Sequence, residues 1–131
     1  MYHIITVDGP SGVGKSTVAK IVAKKLGFIF LSTGAIYRIV ALLTKEYGIN
    51  IDNELGIANI CKNIIINMYT DENNEFKVFT GIRDVTDEIK DEYISKNASI
   101  ISSYLKVREN LIDVQRNFAL KNNIVAEGRD C

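Results

Sequence analysis

The stretch that decides the fold is Gly9-Pro10-Ser11-Gly12-Val13-Gly14-Lys15-Ser16, which fits the pattern G-x-x-x-x-G-K-[ST]. An apolar run, Tyr2 to Val7, precedes it, and apolar positions at helical spacing follow it from Lys15 to Leu26. The sequence therefore predicts a strand, a glycine loop and a helix rather than an ordinary glycine-rich turn. In that arrangement the main-chain N–H groups surround a phosphate. Lys15 is expected to reach the β- and γ-phosphates, and the Ser16 hydroxyl to bind Mg²⁺.

The next residues predict a second strand and a second helix. Phe28 to Leu31 form a short apolar run suited to a buried strand, and a helical stretch continues from Ser32 to about Tyr47, where Gly48 ends it. The chain therefore opens with a βαβα unit. Ligands of open α/β sheets bind at the carboxyl ends of the strands, so the segment that begins at Ser32 belongs to a candidate site.

The middle of the chain has a different pattern. A helix is predicted from Asp52 to Asn63, and three strands follow over Ile64 to Thr70, Glu75 to Thr80 and Ile82 to Val85. Parallel strands need long crossovers, whereas the connections between these strands span only a few residues, so we predict an antiparallel meander. We interpret the region 48–96 as an insertion beside the main sheet.

Beyond the insertion the sequence returns to the main sheet. Apolar residues on one face predict a long helix: Tyr104, Val107, Leu111, Val114 and Phe118. Asn123 to Ala126 predicts another buried strand. The fold class is therefore α/β of the P-loop NTPase type, a three-layer αβα arrangement with an incomplete parallel core sheet and a small antiparallel β insertion. Residues 1–131 form a single domain in this interpretation.

Composition limits the partners. The chain has 131 residues with 16 basic and 16 acidic side chains and no net charge, which leaves no overall field for binding nucleic acid or an anionic membrane. Phosphate binding must then be local. No apolar run is long enough to span a membrane and no secretory signal is evident, so a cytoplasmic location is expected. Cys61 and Cys131 lack the spacing of a metal or redox pair and are expected to be free and structurally minor.

A second anion site is predicted opposite the glycine loop. Arg38 lies one helical turn inside the helix that follows the second strand, and Arg129 follows the Asn123 to Ala126 strand, so both should reach the same sheet edge. Two guanidinium groups there would bind a second phosphate, although Arg38 alone could equally be a solvated helix residue. Glu127 ends its strand with a carboxylate, a pattern that holds the water shell of Mg²⁺.

Other classes fit less well. Guanine-nucleotide switches need an Asn-Lys-x-Asp element to recognise the base, and the sequence has none. A phosphate-loop prenyl transferase that acts on transfer RNA would need a basic face, against which the zero net charge argues. The aromatic residues of the meander, Tyr69, Phe76 and Phe79, are expected to pack rather than to stack on a base.

Several segments, in this order, give the chain a family resemblance. They are Gly9 to Thr17, Ser32-Thr33-Gly34-Ala35-Ile36-Tyr37-Arg38, Asn97-Ala98-Ser99, Val107-Arg108 and Glu127-Gly128-Arg129-Asp130. The chain closely resembles bacterial cytidylate kinases. That resemblance implies transfer of the γ-phosphoryl group of ATP to CMP or dCMP, giving CDP or dCDP and ADP, with Mg²⁺ as cofactor.

The resemblance also implies site residues. It assigns ATP to the run Gly9 to Thr17. Together with the residue patterns given above, this leads us to expect the metal at Ser16 and Glu127 and the chemistry at Lys15, Arg38 and Arg129. The resemblance assigns CMP to six residues: Thr33, Arg38, Ser99, Arg108, Arg129 and Asp130. By the same resemblance, Arg38 and Arg129 hold the CMP phosphate, while Ser99, Arg108 and Asp130 contact the cytosine. The insertion 48–96 would be the nucleoside-monophosphate-binding part.

The sequence departs from the family pattern at two points. Ser32 stands where the family usually has Asp, for which we expect a modest effect. The sequence stops at Cys131, directly after Glu-Gly-Arg-Asp, whereas the family continues with further strands and an arginine-bearing lid. The alternative function is therefore a nucleotide-binding fragment without turnover. A monomer is expected for the full-length enzyme, and association is possible for a chain with an uncovered sheet edge.

Overall fold

The central sheet is built from three parallel strands in the order β1-β6-β2: β1 (Ile4–Asp8), β6 (Ile124–Gly128) and β2 (Ile29–Ser32). The computed structural model describes residues 3–8, 15–120 and 122–128, and the side chains of these residues other than those at positions 8, 15 and 16. The strand that comes last in the described sequence therefore lies between the first two, as a crossover topology requires. All three strands were predicted, to within two residues at each end that the structure describes.

The two faces of this sheet bury different residues. Phe30 and Val125 are register partners and face helix α1 (Lys15–Leu26), where Ala19 and Ala23 complete a small apolar cluster. On the opposite face, the register partners Leu31 and Ala126 join a larger cluster with α2 (Thr33–Glu46). Alternation along each strand thus places helices on both sides. The predicted three-layer αβα arrangement is confirmed.

The predicted antiparallel meander is also confirmed. It consists of β3 (Ile66–Thr70), β4 (Phe76–Thr80) and β5 (Arg83–Asp84), paired in that order. The β3–β4 turn is closed by the Asp71 carboxylate, which accepts hydrogen bonds from the main-chain N–H groups of Asn73 and Glu75, both at 2.9 Å. Met68 and Val78 face each other across the strands and are fully buried.

One helix was missed from the sequence. After a 3-10 turn (Glu88–Lys90), helix α4 (Glu92–Ile101) packs against α2, in a region where we had predicted no element. Its signals are present in retrospect. The Asp91 carboxylate caps the first turn, and Ile94, Ala98 and Ile101 follow at helical spacing and are buried. Because α4 is continuous, position 96, our boundary for the insertion, falls inside a helix.

The remaining helices form a packed pair. Helix α3 (Glu54–Lys62) and helix α5 (Leu105–Ala119) confirm the predicted helices and lie against each other. Helix α5 has no capping side chain of its own. Instead the Glu54 carboxylate of α3 accepts a hydrogen bond from the Lys106 N–H at 3.0 Å, and the Asn110 side chain donates to the Ala58 carbonyl at 2.8 Å. A main-chain N–H group in the first turn of α5 is thus satisfied by a side chain of α3.

The apolar core is continuous between the two sheets. One cluster of buried residues includes Leu31 of β2, Met68 of β3, Ile94 of α4 and Leu111 of α5. Cys61 is a free thiol, as predicted, but it is fully buried in this cluster rather than structurally minor. Burial raises its pKa to about 12. Residues of the region 48–96 share this core with the main sheet. The interpretation of 48–96 as a nucleoside-monophosphate-binding insertion stays a prediction.

No helix within residues 3–8, 15–120 and 122–128 has the length and apolar character needed to cross a membrane.

Candidate functional site

The carboxyl ends of the three parallel strands meet at one edge, as predicted. Strand register pairs Ser32 at the end of β2 with Glu127 of β6, and Glu127 with Val7 of β1. Glu127 is only 6% exposed, so its carboxylate is held within the sheet edge. Ser32 is the N-cap of α2, and its hydroxyl accepts a hydrogen bond from the Ala35 N–H at 3.2 Å. Both Ser and Asp cap helices well, and the modest effect expected of Ser32 stays a prediction.

Thr33 and Gly128 tie α2 closely to β6. The buried Thr33 hydroxyl donates a hydrogen bond to the Glu127 carbonyl at 3.1 Å. A Cβ atom at Gly128 would lie 1.7 Å from the Thr33 hydroxyl oxygen, so that only glycine fits. The first turn of α2 is therefore fixed directly against the strand that carries Glu127.

A cavity of about 590 Å³ opens beside the edge strand β2. Its walls come from α1, from the first turns of α2, from β4 and from the segment that leads into the 3-10 turn. Its charged lining residues are Lys20, Arg38, Glu75, Lys77, Asp87 and Lys90, and Ser32, Phe30 and Phe76 line it as well. Arg38, a predicted site residue, lines this cavity together with Ser32.

Charge is unevenly compensated around this cavity. Lys77 lies 3.4 Å from Glu75, and Lys90 lies 3.7 Å from Asp87. Within the part of the chain that the structure describes, neither Lys20 nor Arg38 has a carboxylate partner. An anion in the cavity would therefore meet two cations whose charge is not already neutralised.

Lys20 was missed by sequence reasoning. Its ammonium group lies 5.6 Å from the centroid of the Phe30 ring and 5.5 Å from that of Phe76. Those two rings meet edge to face at 5.0 Å, so the meander joins the main sheet at this point. The packing role predicted for Phe76 is confirmed, whereas Tyr69 stacks on Phe79 at 5.9 Å and is 41% exposed. No pattern around Lys20 indicated a site, because a lysine every few residues is ordinary in an exposed helix.

The other predicted contacts lie elsewhere. Ser99 is exposed on α4 and Arg108 is half-buried on α5, and neither lines the cavity. Thr17 is exposed on α1. Gly9 to Gly14, Arg129 and Asp130 lie outside the described residues, as do the side chains of Lys15 and Ser16. The predicted meeting of Arg38 with Arg129 therefore stays a prediction.

Glu127 is the described residue with metal-binding chemistry at this edge. Among the described residues there is no group of three or more His, Cys, Asp or Glu side chains able to form a protein cage for a metal. Mg²⁺ in nucleotide sites does not need one, because phosphates and waters supply most of its ligands. The buried Glu127 carboxylate fits that donor set as a single protein ligand.

The fold and the site together define a class. A strand, the Gly9 to Ser16 loop sequence and helix α1 open a parallel sheet in which the last described strand lies between the first two, with helices on both faces. These are the features of P-loop NTPases. A family model described as cytidylate kinase matches residues 5–131, and the chain belongs to that family.

Individual relatives agree. The cytidylate kinase of Pelotomaculum thermopropionicum is 40% identical over 126 residues, which is 96% of this chain and 56% of the relative. That of Fusobacterium nucleatum is 39% identical over 127 residues, 97% of this chain and 56% of the relative. That of Streptococcus suis is 40% identical over 126 residues, which is 96% of this chain and 56% of the relative. The chain therefore spans about half the length of the curated relatives it matches.

Proposed function

We propose that the protein is a nucleoside monophosphate kinase that transfers the γ-phosphoryl group of Mg²⁺-bound ATP to CMP or dCMP. The observation that carries the proposal is the position of the cavity. It lies beside Ser32, at the carboxyl end of β2, and Arg38 in its wall has no carboxylate partner among the described residues. Family membership and the relatives' name support the choice of cytidine nucleotides.

The residues divide into a donor group and an acceptor group. The run Gly9 to Thr17 would hold ATP, with Lys15 on the transferred phosphate and Ser16 and Glu127 holding Mg²⁺, which neutralises charge that develops during transfer. Arg38 and Arg129 would align the acceptor phosphate for in-line attack. The acceptor oxygen is anionic near neutral pH, so no general base is needed.

Base recognition rests on three further residues. Ser99 on α4 and Arg108 on α5, together with Asp130, would contact the cytosine, and Thr33 would lie beside the acceptor phosphate. The Thr33 hydroxyl hydrogen already bonds the Glu127 carbonyl, which leaves its oxygen lone pairs for a donor on the ligand.

A coupled assay with ATP, Mg²⁺ and each of CMP, dCMP, UMP, AMP and GMP tests the proposal. We expect CMP and dCMP to be preferred, and Arg38→Met to lower kcat/KM for CMP by about 100-fold, since it removes a bidentate phosphate contact. Arg116→Met is the matched control, because Arg116 is exposed in the last turn of α5 and does not line the cavity; it should leave kcat/KM unchanged.

Two results would contradict the proposal. Equal use of CMP and AMP would show that the base assignment is wrong. Calorimetric binding of ATP with no CDP formed would make the chain a nucleotide-binding protein rather than a kinase.

A further inference from the structure

We propose that Lys20 is a further substrate-binding residue, which holds the phosphate of the acceptor nucleotide together with Arg38. This inference rests on the proposed function and goes beyond the family resemblance, which assigned no role to Lys20. It is carried by the position of Lys20 in the cavity wall, by its lack of a carboxylate partner among the described residues, and by the two rings that hold its ammonium group.

The first step of the argument is position. Lys20 lies five residues after Lys15 on α1, which is about 7.5 Å along the helix axis at about 1.5 Å per residue. It is therefore displaced from the helix end that the phosphate loop precedes. Its side chain instead lines the cavity, in whose wall Arg38 of α2 also lies. Lys20 thus belongs to the acceptor side of the site rather than to the donor loop.

The second step is charge. The other two cations of the cavity wall, Lys77 and Lys90, each lie within 4.0 Å of a carboxylate on their own segment. Lys20 and Arg38 are not neutralised in this way by any described carboxylate. A monophosphate that entered the cavity would bring about −1.5 to −2 charges near neutral pH, which two cations match.

The third step is pre-organisation. Phe30 is buried and Phe76 is half-buried, and the ammonium group of the exposed Lys20 side chain lies 5.6 and 5.5 Å from their ring centroids. A lysine that already rests against two fixed rings loses less conformational freedom when it binds a ligand. A contact between an ammonium group and a phosphate is stronger than one between an ammonium group and a ring. The flexible lysine stem lets the ammonium leave the rings for the phosphate.

The competing explanation is that Lys20 only fastens the meander to α1. The chain offers a matched control, because Lys24, one turn further along α1, also fastens the meander: its ammonium donates a hydrogen bond to the Asn74 side chain at 2.7 Å. Lys24 does not line the cavity. A fastening role predicts similar effects for Lys20→Met and Lys24→Met, whereas a binding role predicts different ones.

Calorimetry on the 131-residue chain with CMP and with cytidine separates the two roles. We expect Lys20→Met to weaken CMP binding by about 10-fold and cytidine binding by less than about 2-fold, the effect of losing one charge-assisted contact. Lys20→Arg should restore most of the CMP affinity, and Lys24→Met should change it by less than about 2-fold. Equal losses in the two methionine variants, or equal losses for CMP and cytidine, would overturn the inference.

An independent readout uses inorganic phosphate as the probe. In a titration followed by NMR of the lysine and arginine side chains, the Lys20 and Arg38 signals should shift together, at the same phosphate concentration, while Lys24 stays unchanged. Absence of a Lys20 shift would overturn the inference whether or not the chain is a kinase.

The outcomes also separate this inference from the proposed function. If AMP and UMP bind as well as CMP but all three are weakened by Lys20→Met, the cytidine assignment fails and the role of Lys20 stands. If CMP is preferred and Lys20→Met leaves CMP binding intact, the cytidine assignment stands and the role of Lys20 fails.

Discussion

Thr33 and Gly128 are the residues that fix the candidate site most tightly. The Thr33 hydroxyl occupies the space where a side chain at position 128 would begin and donates to the main chain beside it. Both residues lie in segments that carry the family resemblance, but the sequence does not indicate that they touch. Their relation is visible only when α2 lies against β6, which places residues 94 to 95 positions apart in direct contact.

Gly128→Ala should destabilise the fold. The new methyl group has no room beside Thr33, and such overpacking costs about 1–3 kcal/mol. We expect a lower urea midpoint with an unchanged slope. Gly34→Ala is the control, because the nearest atom to a Cβ there is the Ser32 Oγ at 3.7 Å, an ordinary contact. A Gly128→Ala variant as stable as the Gly34→Ala variant would contradict this prediction, because it would show that the end of β6 can shift to make room for a methyl group.

At the scale of single elements, α5 depends on α3 for its first turn. Glu54 lies in the first turn of α3 and also accepts the Lys106 N–H of α5. The pattern of apolar residues predicted where α5 lies, but not what satisfies its first N–H groups. That information belongs to a pair of helices separated by more than 50 positions in sequence.

Glu54→Ala should lower the free energy of unfolding by about 1 kcal/mol, the usual value of a capping interaction. Glu54→Gln should lower it less, because the amide oxygen still accepts. Glu92→Ala is the matched control: Glu92 occupies the first turn of α4, so it shares the favourable interaction with its helix dipole but lacks a described hydrogen bond to another helix. Chemical denaturation checks this, and equal losses for Glu54→Ala and Glu92→Ala would contradict the role of Glu54.

At the scale of the whole molecule, an ion-pair network ties α2 to the far end of the meander. Arg83 of β5 donates two hydrogen bonds to Glu46 at the end of α2, both at 2.7 Å, and one to Glu88 of the 3-10 turn. The hydrogen bond from Arg83 lowers the pKa of Glu46 below its usual 4.5. Hydrogen bonds from Thr86 likewise lower the pKa of Asp84.

Stability should therefore fall in acid. Since both carboxyl groups have lower pKa values in the folded state, the unfolded chain binds more protons, and their stabilisation is complete above the unfolded pKa and is lost as pH falls through the folded one. The urea midpoint should drop between about pH 5 and about pH 3. Glu46→Gln should flatten that drop, whereas Glu72→Gln, in the β3–β4 turn, should not. A Glu46→Gln profile identical to the original would exclude this contribution.

Most elements that were predicted correctly bury the apolar residues that predicted them: this holds for β2, β6, α2, α3 and α5. Helix α1 is different, because its apolar positions Val18, Ile21 and Leu26 are half exposed and the small residues Ala19 and Ala23 face the sheet instead. Helix α4 carries the same signal at Ile94, Ala98 and Ile101. It was missed because the predicted insertion, which we extended to position 96, ended inside it. Lys20 has no local signal at all, since its environment comes from Phe30 and Phe76, which lie on two other elements.

The sequence by itself determined the class of fold, the family and the position of the phosphate loop, because these depend on local pattern: a run of apolar residues, a glycine spacing, a helix start. Only the tertiary structure decided that Lys20 and Arg38 line one cavity, that Glu54 caps α5 and that Thr33 leaves room for nothing larger than glycine at position 128. These relations join residues distant in the chain, and the physical reason is that contacts across a packed core depend on how the elements dock, which no local pattern specifies.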